Sequence, residues 1–212
     1  MLEILKSCIP IVSIFIAIAA LILSYQQAKL SNKQHLFDKR VENYLIAMGL
    51  MQLYRKNLTI FEWSRKNASY AAVDFIFKLL TNNTYLEQIS SVIDDPLKSP
   101  HHKEFLIKLE NIKDVSTKIE LLFSGKASVL LGNFVLNYQE MLLAIYQYQI
   151  LLVDMRKASL DTKLTIEETK KQFHEEQRRA ELDVAFDNLK EAYNLLSKEN
   201  IEGCIKKQIK LS

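Results

Sequence analysis

Hydrophobic residues are distributed very unevenly along this chain, and the longest uncharged run lies near the amino end. Residues 7–24 read SCIPIVSIFIAIAALILS, and the sequence turns polar and basic from Gln26 onward. As a helix this run is about 27 Å long, close to the thickness of the hydrocarbon core of a bilayer. Tyr25 lies where an interfacial aromatic residue is expected. The pattern predicts a membrane-spanning helix within residues 1–25.

The apolar residues of this run supply an insertion free energy of about 3 to 6 kcal/mol. The residues that we expect within the span are Ile9, Ile14, Phe15, Ile18, Leu21 and Leu23. A cleaved secretory signal is the competing interpretation. It is disfavoured because Glu3 offsets Lys6 in the leader, and because the only small-x-small site, at residues 17–19, lies inside the apolar run.

The orientation of the span is predicted from the basic residues that follow it. These residues are Lys29, Lys33, Lys39 and Arg40. The positive-inside rule then leaves the amino terminus outside and places the larger carboxyl-terminal part in the cytoplasm, at a bacterial inner membrane. Cys8 and Cys204 form no disulfide framework, which agrees with a reducing compartment.

Composition predicts that the rest of the chain is all-α. Four glycines and three prolines in 212 residues, with 25% charged residues, are typical of an ordered helical chain. Apolar residues then recur at spacings of three and four from Phe37 to Met48, which predicts a stalk helix over residues 26–66. We expect an antiparallel helical bundle over residues 67–199, and a basic tail over residues 200–212.

Within the bundle, helix signals predict several separate elements. Helices are expected over residues 70–80, 100–123 and 126–158, and Thr84 with Glu87 has the spacing of a capping box. The segment 126–158 is apolar enough to suggest a second span. The carboxylate of Glu140 would be costly in lipid, so a central helix of a soluble bundle is favoured.

The last predicted helix begins at Thr165, where Thr165 and Glu168 again have capping-box spacing. Its first half is charged and is expected to project beyond the bundle, where it can contact a cytoplasmic protein partner. The candidate contact residues are Glu168, Lys171, Glu175, Arg178 and Arg179. The second half carries an apolar stripe from Leu182 to Leu196 that is expected to pack.

The tail has isoleucines at every fourth position, beginning at Ile201, beside several lysines. It can lie on an anionic membrane surface or form a frayed end. Fraying is favoured because Gly203 weakens a helix.

The run FDKRVENY at residues 37–44 carries a resemblance to other proteins. It resembles the juxtamembrane segment of uncharacterised bacterial single-span membrane proteins, with matches at Phe37, Asp38, Lys39, Arg40 and Tyr44. The resemblance implies an inner-membrane location and no defined activity. A plain stalk helix, with basic side chains near anionic headgroups, accounts for the same residues.

Motifs for catalysis and cofactor binding are not found in the sequence. The four glycines are isolated, so no P-loop or dinucleotide-binding fingerprint can be formed. His174-Glu175 begins like a zinc-binding helix, but Arg178 occupies the second ligand position. His101 and His102 are expected in an exposed first turn rather than at a metal. A net charge of +3 with interleaved signs does not favour nucleic-acid binding. We therefore expect no enzymatic activity, no cofactor and no metal.

Three functional hypotheses follow. The favoured one is a membrane-anchored interaction or scaffold protein that forms homo-oligomers. The second is a membrane effector of an antiphage or toxin-type system, which depolarises the membrane when its cytoplasmic domain is triggered. An alanine-rich face at Ala17, Ala19 and Ala20 suits close packing of spans in that case. The third is an enzyme with dispersed catalytic groups.

Overall fold

The structure is a computed structural model of the full chain. It describes the backbone of residues 2–67, 72–98, 100–162, 165–199 and 201–209, and within these the side chains from residue 13 onward except residues 65–67 and 162. The chain is all-helical, as composition predicted, and the described ranges contain no strand.

Seven α-helices and one 3-10 helix form the described part of the chain. They are α1 Leu2–Asn67, α2 Val73–Thr81, a 3-10 helix Glu87–Ile93, α3 His101–Leu122, α4 Lys126–Thr162, α5 Ile166–Gln172, α6 Glu175–Lys198 and α7 Ile201–Lys206. The first helix is continuous over 66 residues and includes both the predicted span and the predicted stalk.

The hydrophobic core includes the second half of α1. Tyr44, Ala47, Leu50, Tyr54 and Phe61 are all buried in it. The helical domain therefore begins near residue 40, inside the segment that the sequence analysis assigned to the stalk. An amphipathic period shows that one face of a helix is apolar, but it does not show which element covers that face.

The centre of the helical domain is α4, which packs against α2, α3, α5, α6 and α7 as well as α1. Phe134, Tyr138 and Tyr146 are among its fully buried side chains. The Tyr138 hydroxyl donates a 2.6 Å hydrogen bond to the carbonyl oxygen of Leu80 in α2. A buried hydroxyl needs such a partner, so this bond fixes α2 against α4.

Two predicted helix starts have different outcomes. The capping box at Thr165 is confirmed: its Oγ1 accepts from the Glu168 N–H at 3.3 Å, and its own N–H donates to Glu168 Oε2 at 2.9 Å. The prediction of a capping box at Thr84 is wrong. There Asn83 Oδ1 accepts from the Leu86 N–H at 2.8 Å, and a 3-10 helix follows. An asparagine side chain that bonds ahead to the backbone competes with the predicted cap.

The last predicted helix is interrupted. His174 has a φ of 52°, which is left-handed backbone, and it separates α5 from α6. Both helices contact α4, so the polar half does not project away from the domain as predicted.

The tail is folded back onto the domain, which corrects the expectation of a frayed end. Ile201 and Ile205 are buried, and Ile209 packs against the core. The Gln208 side chain accepts from the Ser124 N–H at 2.8 Å and donates to the Ser124 carbonyl at 3.0 Å. Burial of the isoleucine stripe against the protein outweighs the low helix propensity of Gly203.

Two helices are long and apolar enough to cross a membrane, judged by length and composition. They cover Ser13–Ser64 and Lys126–Asp161. None of the apolar window of the first is buried inside the protein, whereas half of the apolar window of the second is. The two segments therefore differ in whether the protein itself covers their apolar surface.

Candidate functional site

The amino-terminal part of α1 is exposed along its whole described length. Every side chain from residue 13 to residue 36 is exposed. Five of the six residues predicted to lie in the span are among them: Ile14, Phe15, Ile18, Leu21 and Leu23. Ile9 lies outside the described side chains. An apolar surface of this extent in one segment is characteristic of an interaction site rather than of scattered surface residues.

The predicted juxtamembrane basic residues fall into two groups. Lys29 and Lys33 are exposed, and Lys39 forms an exposed ion pair with Glu42 at 3.1 Å. Arg40 was expected near headgroups with them, and that expectation is wrong. Its guanidinium reaches into the helical domain instead.

Arg40 joins three parts of the chain. Its Nε donates to the carbonyl oxygen of Leu122 at 2.9 Å, and its Nη1 donates to the carbonyl oxygen of Gln208 at 3.0 Å. Leu122 is the last residue of α3, whose final carbonyls have no partner within the helix. Arg40 thus caps α3 and holds the tail against α1, at the point where the exposed part of α1 meets the domain.

The candidate partner-contact residues around α5 and α6 also fall into two groups, one internal and one exposed. Glu175 was predicted to be exposed, but only 2% of it is accessible. Its Oε1 accepts hydrogen bonds from the Tyr148 hydroxyl in α4 and from Arg179, whose Nε and Nη2 lie 2.9 and 2.6 Å away. Glu175 and Arg179 therefore form an internal junction between α4 and α6 and are not free to contact a partner.

Local backbone geometry explains why Glu175 turns inward. The left-handed residue His174 ends α5, and Glu175 begins α6, where the positive end of the helix dipole stabilises a carboxylate. Burial of Tyr148, together with its bond to Glu175, raises the pKa of the Tyr148 hydroxyl, and the Glu175 carboxylate raises the pKa of Arg179. Within the described residues, Glu175 Oε2 is a buried side-chain atom without a hydrogen-bond partner.

The sequence did contain a signal for this junction. The apolar stripe of α6 includes Leu182, Phe186 and Leu189, all buried. Counting back from Leu182 by three and then by four residues leads to Arg179 and Glu175. Their charge suggested solvent, whereas their register indicated the packed face.

The remaining three predicted contacts are exposed. Glu168 is held by Thr165 in the capping box, and these hydrogen bonds lower the pKa of its carboxyl. Arg178 forms an ion pair with Glu181 at 2.9 Å. Lys171 lies on a polar cleft of about 310 Å³ at the turn between α5 and α6. The cleft is lined by Glu167, Lys170, Lys171, His174, Glu175, Glu176 and Gln177.

The histidines near the start of α3 have structural partners. His102 Nδ1 is 2.7 Å from the Tyr146 hydroxyl and its ring stacks on the Tyr146 ring, while His101 lies 3.6 Å from Glu104. No group of three or more histidine, cysteine or acidic side chains that could hold a metal ion occurs within the described residues.

Comparison with models of protein families, with characterised proteins and with solved structures finds no match to this chain. The candidate site is accordingly defined by three features of the molecule itself. They are the exposed apolar part of α1, the Arg40 junction, and the polar cleft between α5 and α6.

Proposed function

We propose that this chain is a membrane-anchored interaction protein without catalytic activity. Its amino-terminal helix spans a bacterial inner membrane once, and an antiparallel helical bundle lies in the cytoplasm. The observation that carries the proposal is the contrast between the two candidate spans, one uncovered and one half-buried in the core. Burying a leucine or isoleucine side chain stabilises it by about 1.5 to 3 kcal/mol relative to leaving it exposed to water. A bilayer would cover those side chains of α1.

Packing of α4 supports a single span. Apolar residues along its length, including Phe134, Met141 and Ile145, are buried against the other helices, and its tyrosines have polar partners inside the domain. Transfer of this helix to lipid would expose those polar groups to hydrocarbon, which is unfavourable. Lys29 and Lys33 follow the span and favour a cytoplasmic domain.

The polar cleft at the turn between α5 and α6 is the surface that we propose for a cytoplasmic protein partner. Its exposed charges of both signs include Lys171 and Glu176, and Arg178 follows directly after the last residue that lines the cleft. Such a surface suits a polar, charge-complementary contact better than an apolar one. No nucleic acid is expected there, since acidic and basic residues alternate.

Membrane extraction of the full-length chain tests the anchor. Wild type should stay in the membrane pellet after carbonate washing and should float with vesicles. Phe15→Arg adds a charge at the centre of the span, midway along residues 7–24, at a cost of about 2.5 to 3.5 kcal/mol and should move the protein into the supernatant. Leu121→Arg is the matched control because Leu121 is 80% exposed on α3. Recovery of wild type in the carbonate supernatant would contradict the proposal.

Charge reversal tests the partner surface. The variant Lys171→Glu with Arg178→Glu should lose proteins that co-purify with the chain after cross-linking in cells, while its helical content stays unchanged. Lys103→Glu, an exposed change on α3, is the control. Equal recovery from both variants would argue against this surface.

A depolarising effector is the second candidate. Ala17, Ala19 and Ala20 are all exposed on α1, and small residues allow spans to approach closely. Overexpression in cells that carry a potential-sensitive dye should then collapse the membrane potential. Unchanged potential and growth would count against this function and would leave the anchor in place.

A further inference from the structure

We propose that residues 16–37 of α1 pair with the same segment of a second copy of this chain as a parallel coiled coil. The coiled coil begins inside the span and ends where the helical domain begins. The proposal rests on the proposed membrane anchor for its parallel orientation, because two copies inserted the same way have their helices pointing in the same direction.

The sequence of α1 supplies a regular contact stripe, here called the seam. Its residues are separated alternately by four and three positions: Ile16, Ala20, Leu23, Gln27, Leu30, Gln34 and Phe37. This alternation is the heptad spacing of a coiled coil, with Ile16, Leu23, Leu30 and Phe37 at one core position and Ala20, Gln27 and Gln34 at the other. Leu23 is 64% exposed and Leu30 is 54% exposed, so the chain itself does not cover the seam.

The seam needs a partner most where α1 is outside both the proposed bilayer and the helical domain. About 14 residues separate Tyr25 from Arg40, a free helical length of about 21 Å. An isolated helix of that length is marginal in water. Leu30 and Leu36 are exposed within it. A second copy would bury Leu30 and would stabilise the helix.

Charges beside the seam match a parallel pair. Lys33 and Asp38 occupy the two flanking positions of the heptad and are five residues apart. In a parallel coiled coil, residues at this spacing face each other across the two helices. Within one helix they are too far around the axis to pair. Both are exposed, and neither forms an ion pair among the described side chains. Lys33 of each copy can therefore pair with Asp38 of the other.

Polar residues in the seam can fix how the two helices align along their length. The side chains of Gln27 and Gln34 can hydrogen-bond to the same residues of a second copy. Polar core residues of this kind fix the alignment of the helices at some cost in stability. Because these two residues are polar, the stripe is not simply an apolar face that contacts lipid.

The seam ends where the helical domain begins. Tyr44 comes seven residues after Phe37, so it occupies the next heptad position of the seam, but it is buried in the domain. Ala47, Tyr54 and Phe61 follow it on the buried face of α1. The second helix therefore pairs with α1 only as far as Phe37, and the domain covers α1 from Tyr44 onward.

Position-specific cross-linking of the full-length chain tests the seam. In a background with Cys8→Ser and Cys204→Ser, a single cysteine is placed at Leu30, on the seam, or at Asn32, which is exposed on the opposite face. Oxidation of membranes should give severalfold more covalent dimer with Leu30→Cys than with Asn32→Cys. Equal cross-linking at the two positions, or none at either, would overturn the proposal.

A charge swap gives a second readout. Lys33→Asp in the Leu30→Cys chain should reduce the dimer severalfold, and adding Asp38→Lys should restore it. A loss that the second change fails to restore would overturn the parallel register. Carbonate extraction of the same membranes separates this proposal from the anchor. Retention in the pellet without position-dependent cross-linking overturns only the seam, whereas release into the supernatant overturns the anchor.

Discussion

Arg179 donates two hydrogen bonds to the carboxylate of Glu175 one turn earlier in α6, from Nε at 2.9 Å and from Nη2 at 2.6 Å. Tyr148 of α4 donates to the same oxygen, Oε1. Glu175 is buried and Arg179 is half-buried, so this ion pair differs from the exposed pairs elsewhere on α6. The contact closes α6 onto α4 at the base of the polar cleft.

Removing Arg179 should destabilise the fold. Arg179→Ala leaves a buried carboxylate without its counter-charge, and we expect a loss of about 2 kcal/mol in the free energy of unfolding. Arg178→Ala, which breaks the exposed pair with Glu181, should cost less than about 1 kcal/mol. Urea unfolding of the full chain in detergent, followed by circular dichroism, measures both. Equal losses would show that the Glu175 junction contributes no more to the free energy of unfolding than an exposed ion pair does.

Alkaline pH should weaken the folded state most strongly through two tyrosines. Burial raises the pKa of Tyr138 and of Tyr148 above the ordinary value of 10.0. The folded state therefore holds these protons more tightly than the unfolded state. The stabilisation is fully present below pH 10.0, and it falls as the pH rises from there through the folded pKa, by up to about 1.4 kcal/mol per pH unit for each tyrosine.

Tyr138→Phe tests this pH dependence. Unfolding free energies measured between pH 8 and pH 11 should fall less steeply above pH 10 in the variant than in wild type. The variant should also be less stable at neutral pH by about 1 to 2 kcal/mol, because the Leu80 carbonyl loses its donor. Tyr25→Phe is the control, since Tyr25 is 72% exposed. Identical slopes for wild type and Tyr138→Phe would contradict the assignment.

Loss of the Arg40 side chain should release the tail. Arg40→Ala removes the donors to the Leu122 and Gln208 carbonyls, at a cost of about 1 to 3 kcal/mol. Trypsin should then cut sooner at the exposed Lys206 and Lys207. Lys39→Ala, which affects only an exposed pair, should leave the cleavage rate unchanged. If both variants are cut at the wild-type rate, Arg40 does not hold the tail.

Two glycines should respond differently to alanine. Gly49→Ala should stabilise α1 by about 0.5 to 1 kcal/mol, because no atom lies within 4 Å of the added carbon. At Gly132 in α4 the same carbon would lie 2.8 Å from Glu120 Cγ in α3. Gly132→Ala should therefore stabilise the fold less than Gly49→Ala, because the exposed Glu120 side chain has to rotate away, and adding Glu120→Ala should remove that cost. Thermal unfolding of the single and double variants measures this coupling, and simple additivity would disprove it.

Local sequence features predicted much of the helix pattern. The capping box at Thr165 depends on residues three apart, and the end of α3 before Gly125 agrees with the left-handed φ of 86° at that glycine. Both features are decided within one helical turn, so they can be identified without knowledge of the tertiary structure. The Thr84 box shows the limit of this approach, because the neighbouring Asn83 provides the hydrogen bond instead.

Long-range contacts were not accessible in the same way. Arg40 was assigned to headgroups because of its charge and its position after the apolar run, but its partners are 82 and 168 residues away in the chain. The tail was expected to fray on the basis of Gly203, yet its isoleucines are covered by the domain.

The sequence by itself determined the all-helical class, the apolar stretch in α1 and the heptad spacing of residues 16–37, because composition and spacing act within a single helix. Only the tertiary structure decided that Glu175 and Arg40 are internal, that α1 enters the core near residue 40, and that the tail is packed. Helical spacing fixes which side chains share a face. What covers that face depends on residues far away in the chain, and their arrangement is set by the packing of the whole core.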